Sequence, residues 1–248
     1  MTAALHTESL SRRFGDNVAV DGVDLEVAAG EIYGFLGPNG AGKSTAVRML
    51  TTLLLPSSGS ATVVGFDVRN QAEMVRLRIG VALQDAALDP KQTGRELLDL
   101  QGRLYGLGAQ QRRRRVEELL LLVDIGDAID TRIGTYSGGM KRRLDLAAAL
   151  VHEPEMLFLD EPTTGLDPSS RAAVWDEVRR LNEQRGVTIF LTTQYLEEAD
   201  ALADRVGIIA RGRIVAEGTP AELKRSVGSD LIIVKCRPGE CDQVARVL

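Results

Sequence analysis

Short apolar runs alternate along the chain with longer stretches whose apolar residues recur at helical spacing. The runs that predict strands lie at residues 18–27, 31–37, 61–68, 79–83, 156–160, 187–193, 205–210 and 213–218. In the first of them apolar and polar residues partly alternate, which is typical of a half-exposed antiparallel strand. MLFLD (156–160) and VTIFL (187–191) are almost continuously apolar, which indicates central strands buried on both faces. The pattern therefore predicts a mostly parallel sheet covered by helices.

The segment between about residues 85 and 153 has a different pattern. TGRELLDLQGRLYGL, RRRVEELLLLV and SGGMKRRLDLAAALV carry apolar residues at helical spacing, and no strand-like run lies between them. Thr93 followed by Glu96 fits a capping box at the start of the first helix. We therefore predict that a helical lobe is inserted into an α/β core.

Composition and charge narrow the function classes. Hydrophobic residues make up 44% and charged residues 26% of the 248 residues, which fits one large α/β domain. The net charge of −5 argues against a dedicated nucleic-acid binder. No apolar run of about 18 residues predicts a membrane span, and MTAALHTESLSRRFG lacks the apolar core of a signal peptide. Only two histidines occur, which excludes a histidine-rich metal site, and Cys236 and Cys241 are predicted to be free thiols.

The most basic stretch is QQRRRRVEE (110–118). It allows two interpretations: a contact for an anion or a nucleic acid, or the solvated face of a helix. The apolar side of such a helix would consist of Val116, Leu119, Leu120 and Val123, which have the required spacing. We favour the solvated helix face.

The stretch GPNGAGKST (37–45) fits the phosphate-binding pattern G-x-x-x-x-G-K-[ST], and it lies between a predicted strand and a predicted helix, as the pattern requires. Its glycines let backbone N–H groups surround phosphate oxygens, and the helix N-terminus adds its positive dipole end. Lys43 is expected to reach the β- and γ-phosphates and Ser44 to ligate Mg²⁺. The predicted nucleotide-binding residues here are Gly37, Pro38, Asn39, Gly40, Ala41, Gly42, Lys43, Ser44 and Thr45.

Two adjacent carboxylates stand at the end of the predicted strand MLFLD (156–160). Asp160 is expected to hold the water shell of Mg²⁺, and Glu161 to orient or activate the attacking water. Carboxylates at a strand end can also serve only as caps. Together with the phosphate loop they favour ATP hydrolysis, with Glu161 and Lys43 among the catalytic residues.

A third motif, YSGGMKRRLDLAAAL (136–150), completes a set with GPNGAGKST and FLDEPTTGLDP. With these motifs the chain resembles the ATP-binding subunit of ABC transporters over about residues 5–225. The resemblance implies a P-loop NTPase core with a mostly parallel sheet, an antiparallel β subdomain and the inserted helical lobe. It places the ABC nucleotide-binding domain at residues 1–225. Residues 226–248 are then expected to be the start of a C-terminal extension that the chain cuts short.

The resemblance also implies a dimer. Ser137, Gly138 and Gly139 correspond to the signature motif, which in the family contacts the γ-phosphate of ATP bound to the other subunit, so that two chains close head to tail over two ATP molecules. Met140 stands where the family usually has glutamine, which predicts altered affinity. Asp167, in TGLDP, corresponds to a loop that communicates across the dimer, and it also fits the N-cap of a helix.

Three further residues take their expected roles from the resemblance. Gln84, in VALQDAAL, corresponds to the loop that joins the core to the helical lobe, where the family's glutamine ligates Mg²⁺ and reports the nucleotide state to a membrane partner. Phe14 corresponds to the aromatic residue that stacks on adenine, although a core aromatic is the alternative. Gln194, in LTTQYLEEAD, stands where the family has its switch histidine, which contacts the γ-phosphate.

The glutamine at position 194 keeps an N–H donor of similar reach, but it cannot take up a proton near neutral pH. No histidine follows His152, so no near neighbour can substitute for it. Because Glu161 is present, we expect a working ATPase. The glutamine is either native to this branch of the family or a replacement of histidine that traps ATP.

The strings YSGGM, LTTQYLEEAD and RGRIVAEGTPAELK are most similar to the branch named for daunorubicin and doxorubicin resistance. This resemblance implies a motor subunit that binds ATP and Mg²⁺ and drives a separate permease for drugs or lipids. It also implies a peripheral position on the cytoplasmic face of the membrane, a second ATP-binding subunit that we expect to be identical, and no nucleic-acid partner. The alternatives are a soluble ABC ATPase that acts on DNA or ribosomes and a nucleotide-dependent regulator without turnover. Glu161 argues against the regulator, and the chain has neither the long coiled-coil insertion nor the second ATPase domain of the soluble relatives.

Overall fold

The computed structural model describes residues 3–84, 88–123 and 125–227. Within these ranges the strands are β1 (Ala3–Phe14), β2 (Asn17–Ala28), β3 (Ile32–Leu36), β4 (Ser58–Val63), β5 (Phe66–Asp67), β6 (Ile79–Ala82), β7 (Met156–Asp160), β8 (Thr188–Thr193), β9 (Arg205–Ala210) and β10 (Arg213–Gly218). The helices are α1 (Lys43–Leu50), α2 (Ala72–Arg76), α3 (Gly94–Leu104), α4 (Ala109–Val123), α5 (Gly138–Ala149), α6 (Pro168–Arg185), α7 (Leu196–Leu202) and α8 (Pro220–Val227). Residues 228–248 lie outside the described residues. They include most of the expected C-terminal extension and both cysteines, Cys236 and Cys241.

The larger sheet has six strands in the order β10-β9-β3-β8-β7-β6. Its neighbours pair in parallel except β9 and β10, which form an antiparallel hairpin. Every residue of β7 and β8 is buried, as their nearly continuous apolar sequence predicts. Because parallel strands end at the same edge, the residues that follow β3, β7 and β8 come together at one end of the sheet.

The second sheet is antiparallel, in the order β2-β1-β4-β5, which confirms the expected β subdomain. β1 lies between β2 and β4, but no strand is predicted for it from the sequence. Only four of its 12 residues are buried, and the polar residues between them obscure the strand pattern. The predicted strand 61–68 is in fact part of a hairpin, because Val64 and Gly65 both take positive φ angles and turn the chain back.

Between β6 and β7 the described residues form α3, α4, α5 and two short 3₁₀ segments, Gly126–Asp130 and Ile133–Thr135, which confirms the helical lobe. Thr93 and Glu96 form the predicted capping box at the start of α3, with each side chain accepting from the other residue's backbone N–H. Leu98, Leu119 and Leu144, one from each helix, are fully buried in a single apolar cluster. None of the described helices is long and apolar enough to span a membrane.

The apolar side of α4 is the one that its spacing predicts. Val116 and Leu119 are buried and Leu120 is half-buried. The fourth predicted member, Val123, ends the helix, and its side chain lies outside what the structure describes.

The basic run on α4 is only in part a solvated face. Arg115 is buried and donates to the carbonyl oxygens of Leu150 at 2.7 Å and Val151 at 3.2 Å. Arg112 forms an ion pair with Asp99 on α3 at 2.7 Å. These two arginines therefore hold α4 against α3 and the end of α5.

Candidate nucleotide-binding site

A cavity of about 710 Å³ opens where the antiparallel sheet meets one end of the parallel sheet. It collects residues from the β1–β2 hairpin, the loop before α1, the ends of β6 and β7, and the β9–β10 turn. Its lining is formed by Phe14, Asn17, Val18, Ala19, Asn39, Gly40, Gly42, Lys43, Ser44, Thr45, Gln84, Glu161, Arg211 and Gly212. The structure thus brings most of the predicted phosphate loop together with Phe14, Gln84 and Glu161.

The phosphate loop follows β3 and ends at α1, and two of its glycines leave no space for a side chain. A Cβ atom on Gly37 would overlap the carbonyl oxygen of Ile209, and one on Gly42 would overlap that of Ala19. Gly42 also has a φ of 109°, which residues with a side chain rarely adopt. Gly37 donates its backbone N–H to the carbonyl oxygen of Thr193 at 3.1 Å, which fixes the start of the loop to the end of β8.

Lys43 crosses the loop from the first turn of α1. Its Nζ donates to the carbonyl oxygens of Gly37 at 2.7 Å and Pro38 at 3.2 Å. The same atom lies 3.2 Å from Oε1 of Glu161, and the two side chains are only 4% and 5% exposed. Lys43 and Glu161 therefore line the cavity as a buried ion pair. The other loop residues Gly37, Pro38 and Ala41 are not part of the cavity lining.

Asp160 and Glu161 follow each other at the end of β7 but face different partners. Oδ1 of Asp160 accepts from the hydroxyls of Ser44 at 3.3 Å and Thr192 at 2.5 Å. The backbone N–H of Glu161 donates to the carbonyl oxygen and the Oγ1 of Thr192, at 3.1 and 3.0 Å, and Oε2 of Glu161 accepts from Thr164 Oγ1 at 3.2 Å. Glu161 has a φ of 48°, a strained angle for a glutamate.

Phe14 and Gln84 both line the cavity. Phe14 is 47% exposed, so it is not a core aromatic, and the guanidinium of Arg12 covers its ring at 4.6 Å from the centroid. Gln84 is exposed and lies two residues after the end of β6, where the helical lobe begins. Both positions suit the roles that the sequence predicts for them.

The signature residues lie apart from the lining of the cavity just described. Ser137 caps α5, its Oγ accepting from the backbone N–H of Met140 at 3.2 Å. Gly139 packs so closely on the start of α6 that a Cβ atom there would lie 2.9 Å from Ser170 Oγ. Asp167 caps α6, and its hydrogen bonds from Ser169 and Ser170 lower the pKa of its carboxyl. The N-termini of α5 and α6 therefore form one unit, and Gly138 belongs to its exposed surface.

The sequence profile of the ABC transporter family matches residues 20–164 of this chain. The chain belongs to the ABC transporter family. It is similar to the daunorubicin resistance ATP-binding protein DrrA3 of Streptomyces coeruleorubidus, with 55% identity over 94% of the chain and 74% of that protein. It is also similar to the daunorubicin/doxorubicin resistance ATP-binding protein DrrA of Streptomyces peucetius, with 54% identity over 93% of the chain and 70% of that protein.

Solved structures of ABC proteins have the same fold. The structure of cbiO1 from Clostridium perfringens, part of the ABC transporter complex cbiONQ, superposes with a TM-score of 0.84 at 28% identity, over 92% of each chain. An ATP-binding cassette solved as a dimer with ADP and Pi after hydrolysis superposes with a TM-score of 0.79 at 23% identity, over 87% of this chain and 98% of that one. The fold is thus that of an ABC cassette, and the chain is an ATP-binding and ATP-hydrolysing subunit.

Gln194 follows β8 directly in this ABC ATPase and is half-buried, and it is not among the described residues that line the cavity. The chain on both sides of it is held in place. The end of β8 binds the phosphate loop, as described above, and α7 is tied to α6 by Glu198. The buried carboxylate of Glu198 accepts from Thr163 Oγ1 at 2.8 Å and from Trp175 Nε1 at 3.0 Å.

Several residues of the site region are not predicted from the sequence, among them Thr192, Arg211 and Arg142. Thr192 could have been found from register, because β7 and β8 are adjacent and Thr192 pairs with Asp160. Arg211 lies in a turn between two strands, and no pattern in the sequence indicates that this turn reaches the cavity. Arg142 stands between a lysine and an arginine, and nothing in the sequence distinguishes it from these basic neighbours.

Arg142 is buried in α5 beneath the site. Its guanidinium donates to the carbonyl oxygen of Leu83 at 2.7 Å and lies 3.5 Å from that of Asp160, so it contacts the ends of both β6 and β7. It also pairs with Asp145 at 3.1 Å. Burial raises the pKa of Asp145 to about 6, although Arg142 opposes this shift, and burial lowers the pKa of Arg142.

We expect Asp145 to make the stability of the fold depend on pH. Because the pKa of Asp145 is higher in the folded than in the unfolded chain, the folded state keeps a proton that the unfolded chain has lost. Its contribution to the free energy of unfolding is therefore full below about pH 4 and falls by about 2–3 kcal/mol as the pH rises to about 6. Urea unfolding of the unaltered chain and of Asp145→Asn across this range measures the effect. A difference between the two that is independent of pH would contradict it.

Proposed function

We propose that this ABC ATPase is the motor of a membrane exporter, in which two ATP-binding subunits on the cytoplasmic face drive a separate permease. The observation that carries the catalytic part is the buried pair of Lys43 and Glu161, at 3.2 Å, where the phosphate loop meets the end of β7. A carboxylate held at this place, beside the loop that binds phosphate, is suited to act on the water that attacks the γ-phosphate.

Each residue around the phosphates has a distinct task in this proposal. The loop binds the β- and γ-phosphates through backbone N–H groups and Lys43. When Lys43 also binds the phosphates, Oε1 of Glu161 can accept a hydrogen bond from water. Thr164 meanwhile keeps Oε2, the other carboxylate oxygen, in place. Gln194 donates to the γ-phosphate through its amide, and Phe14 stacks on adenine.

Three residues of the site would fit Mg²⁺: Ser44 on α1, Asp160 at the end of β7 and Gln84 after β6. The Ser44 hydroxyl and the Asp160 carboxylate, 3.3 Å apart, would supply the oxygen ligands that Mg²⁺ prefers, and the amide oxygen of Gln84 would be a third. When bound, Mg²⁺ neutralises charge on the phosphates during their transfer. Thr192 keeps the Asp160 carboxylate directed toward Ser44 through its 2.5 Å hydrogen bond.

The separation of the two half-sites supports a dimer. The phosphate loop lines the cavity, whereas Ser137, Gly138 and Gly139 lie at an exposed helix N-terminus outside it. A helix N-terminus with free N–H groups binds anions. Two copies that face each other head to tail would complete two equivalent sites, each with the loop of one chain and the signature residues of the other.

A second cavity, of about 280 Å³, supports a permease as the further partner. It lies between the core and the helical lobe, and Leu83, Asp145 and Tyr105 line it. Leu53, also in its lining, is 58% exposed, and Leu104 next to Tyr105 is 71% exposed. An apolar cytoplasmic segment of a permease would cover these side chains, and its movement would reach Gln84 through Leu83.

The cargo is proposed from the relatives, which are named for resistance to daunorubicin and doxorubicin. We expect an amphipathic drug-like or lipid molecule. The test is to co-express the chain with a candidate permease, to isolate the complex, and to measure ATP-dependent uptake of daunorubicin by inside-out vesicles. Leu104→Asp should abolish co-purification, whereas Leu121→Asp, which alters an 84% exposed leucine on α4, should not. Equal co-purification of both variants would contradict the docking surface, and vesicles that take up no drug would contradict the cargo.

A further inference from the structure

The turn between β9 and β10 places a charged side chain at the nucleotide cavity for which the known motifs of the chain have no role. The turn consists of Arg211 and Gly212, and both line the cavity. The charged residues in that lining are Lys43, Glu161 and Arg211. Lys43 and Glu161 pair with each other, whereas Arg211 is exposed and has no hydrogen-bond or ion-pair partner in the described part of the chain.

The backbone of this turn is fixed against the phosphate loop. Gly212 donates its N–H to the carbonyl oxygen of Ala41 at 2.9 Å and accepts from the N–H of Asp21 at 2.9 Å. A Cβ atom on Gly212 would lie 3.0 Å from the carbonyl oxygen of Ala19. Because the turn is held on two sides, Arg211 starts from a defined position between the loop and β2.

The backbone at Arg211 is unfavourable for an arginine. A two-residue hairpin turn with positive φ at both positions prefers asparagine or aspartate followed by glycine. Here φ is 51° at Arg211 and 79° at Gly212. An arginine at a position that local structure would give to asparagine indicates a role for its side chain.

We propose that Arg211 is a further nucleotide-binding residue, which donates to the phosphate chain of ATP or ADP bound in the loop. Its guanidinium carries a permanent charge and several N–H donors, which match phosphate oxygens. Lys43 is shared between the phosphates, the loop carbonyls and Glu161, whereas Arg211 has no hydrogen-bond or ion-pair partner in the described part of the chain and adds a second cation to this wall. The inference rests on the proposed assignment of this cavity as the ATP site.

The variant Arg211→Asn separates this role from a structural one. Asparagine suits the positive φ, so the variant should fold at least as stably as the unaltered chain. Arg213→Asn is the matched control, since Arg213 lies two residues further along the hairpin and pairs instead with Asp21 at 2.7 Å. Binding of ATP, ADP and adenosine is measured by competition with a fluorescent nucleotide, and thermal unfolding is recorded for each variant.

We expect Arg211→Asn to weaken ATP and ADP binding by about tenfold and to leave adenosine binding unaffected. The unfolding temperature of this variant should be unchanged or higher. Arg213→Asn should change neither nucleotide affinity by more than about twofold. Equal affinities in the two variants, or the same loss for adenosine as for ADP, would overturn the role of Arg211. An unaltered chain that binds no nucleotide would instead refute the assignment of the cavity itself.

Discussion

Replacement of Glu161 by glutamine should reduce ATP turnover by about 100- to 1000-fold while ATP binding remains unchanged or becomes tighter. The amide keeps the size of the side chain but cannot accept the proton of the attacking water. The replacement also removes the carboxylate that lies 3.2 Å from Lys43 Nζ, so the ammonium of Lys43 is more available to the phosphates. Phosphate release and nucleotide affinity, measured on the same preparation, separate the two effects.

The matched control for this variant is Glu177→Gln. Glu177 is buried on α6 and pairs with Arg180, and burial raises the pKa of its carboxyl. It lies outside the nucleotide cavity, so its replacement should leave turnover within about twofold. If Glu161→Gln hydrolyses ATP at the unaltered rate, Glu161 does not act on the water, and the reaction must use another base.

Replacement of Lys43 by methionine should weaken ATP and ADP binding by about 30- to 100-fold, since a buried charge-assisted contact to phosphate is lost. The variant should also lose about 3 kcal/mol of stability, because Glu161 is left buried without its cation. Equilibrium binding and urea unfolding measure the two losses. Lys224→Met, which removes an exposed lysine that pairs with Asp200, is the control.

The double variant with Lys43→Met and Glu161→Gln distinguishes these two consequences. Removing the orphaned carboxylate should restore most of the lost stability, whereas nucleotide binding should stay weak. Recovery of binding in the double variant would show that Lys43 acts only by neutralising Glu161. It would contradict direct contact between Lys43 and the phosphates.

The parts of the fold that the sequence predicts are those whose local pattern agrees with their burial. β7 and β8 are buried along their whole length, and residues 156–159 and 189–191 within them are all apolar. The phosphate loop is equally clear, because Gly37 and Gly42 stand where the backbone leaves no room for a side chain. In these segments consecutive residues are enough to predict the structure, because burial and backbone geometry restrict each of them.

The elements that escaped prediction depend on contacts between distant parts of the chain. β1 is mostly polar and is a strand because β2 and β4 pair with it on both sides. Thr192 serves the site because β8 runs beside β7, and Arg211 reaches the cavity because Gly212 binds the phosphate loop. No single segment of sequence contains these relationships.

This chain should turn over ATP with glutamine at position 194, and phosphate release from ATP by the unaltered chain, in the presence of Mg²⁺ and its permease, is the measurement that decides it. We expect steady-state turnover that Glu161→Gln abolishes. An unaltered chain that binds ATP without releasing phosphate, and that regains turnover in Gln194→His, would contradict it.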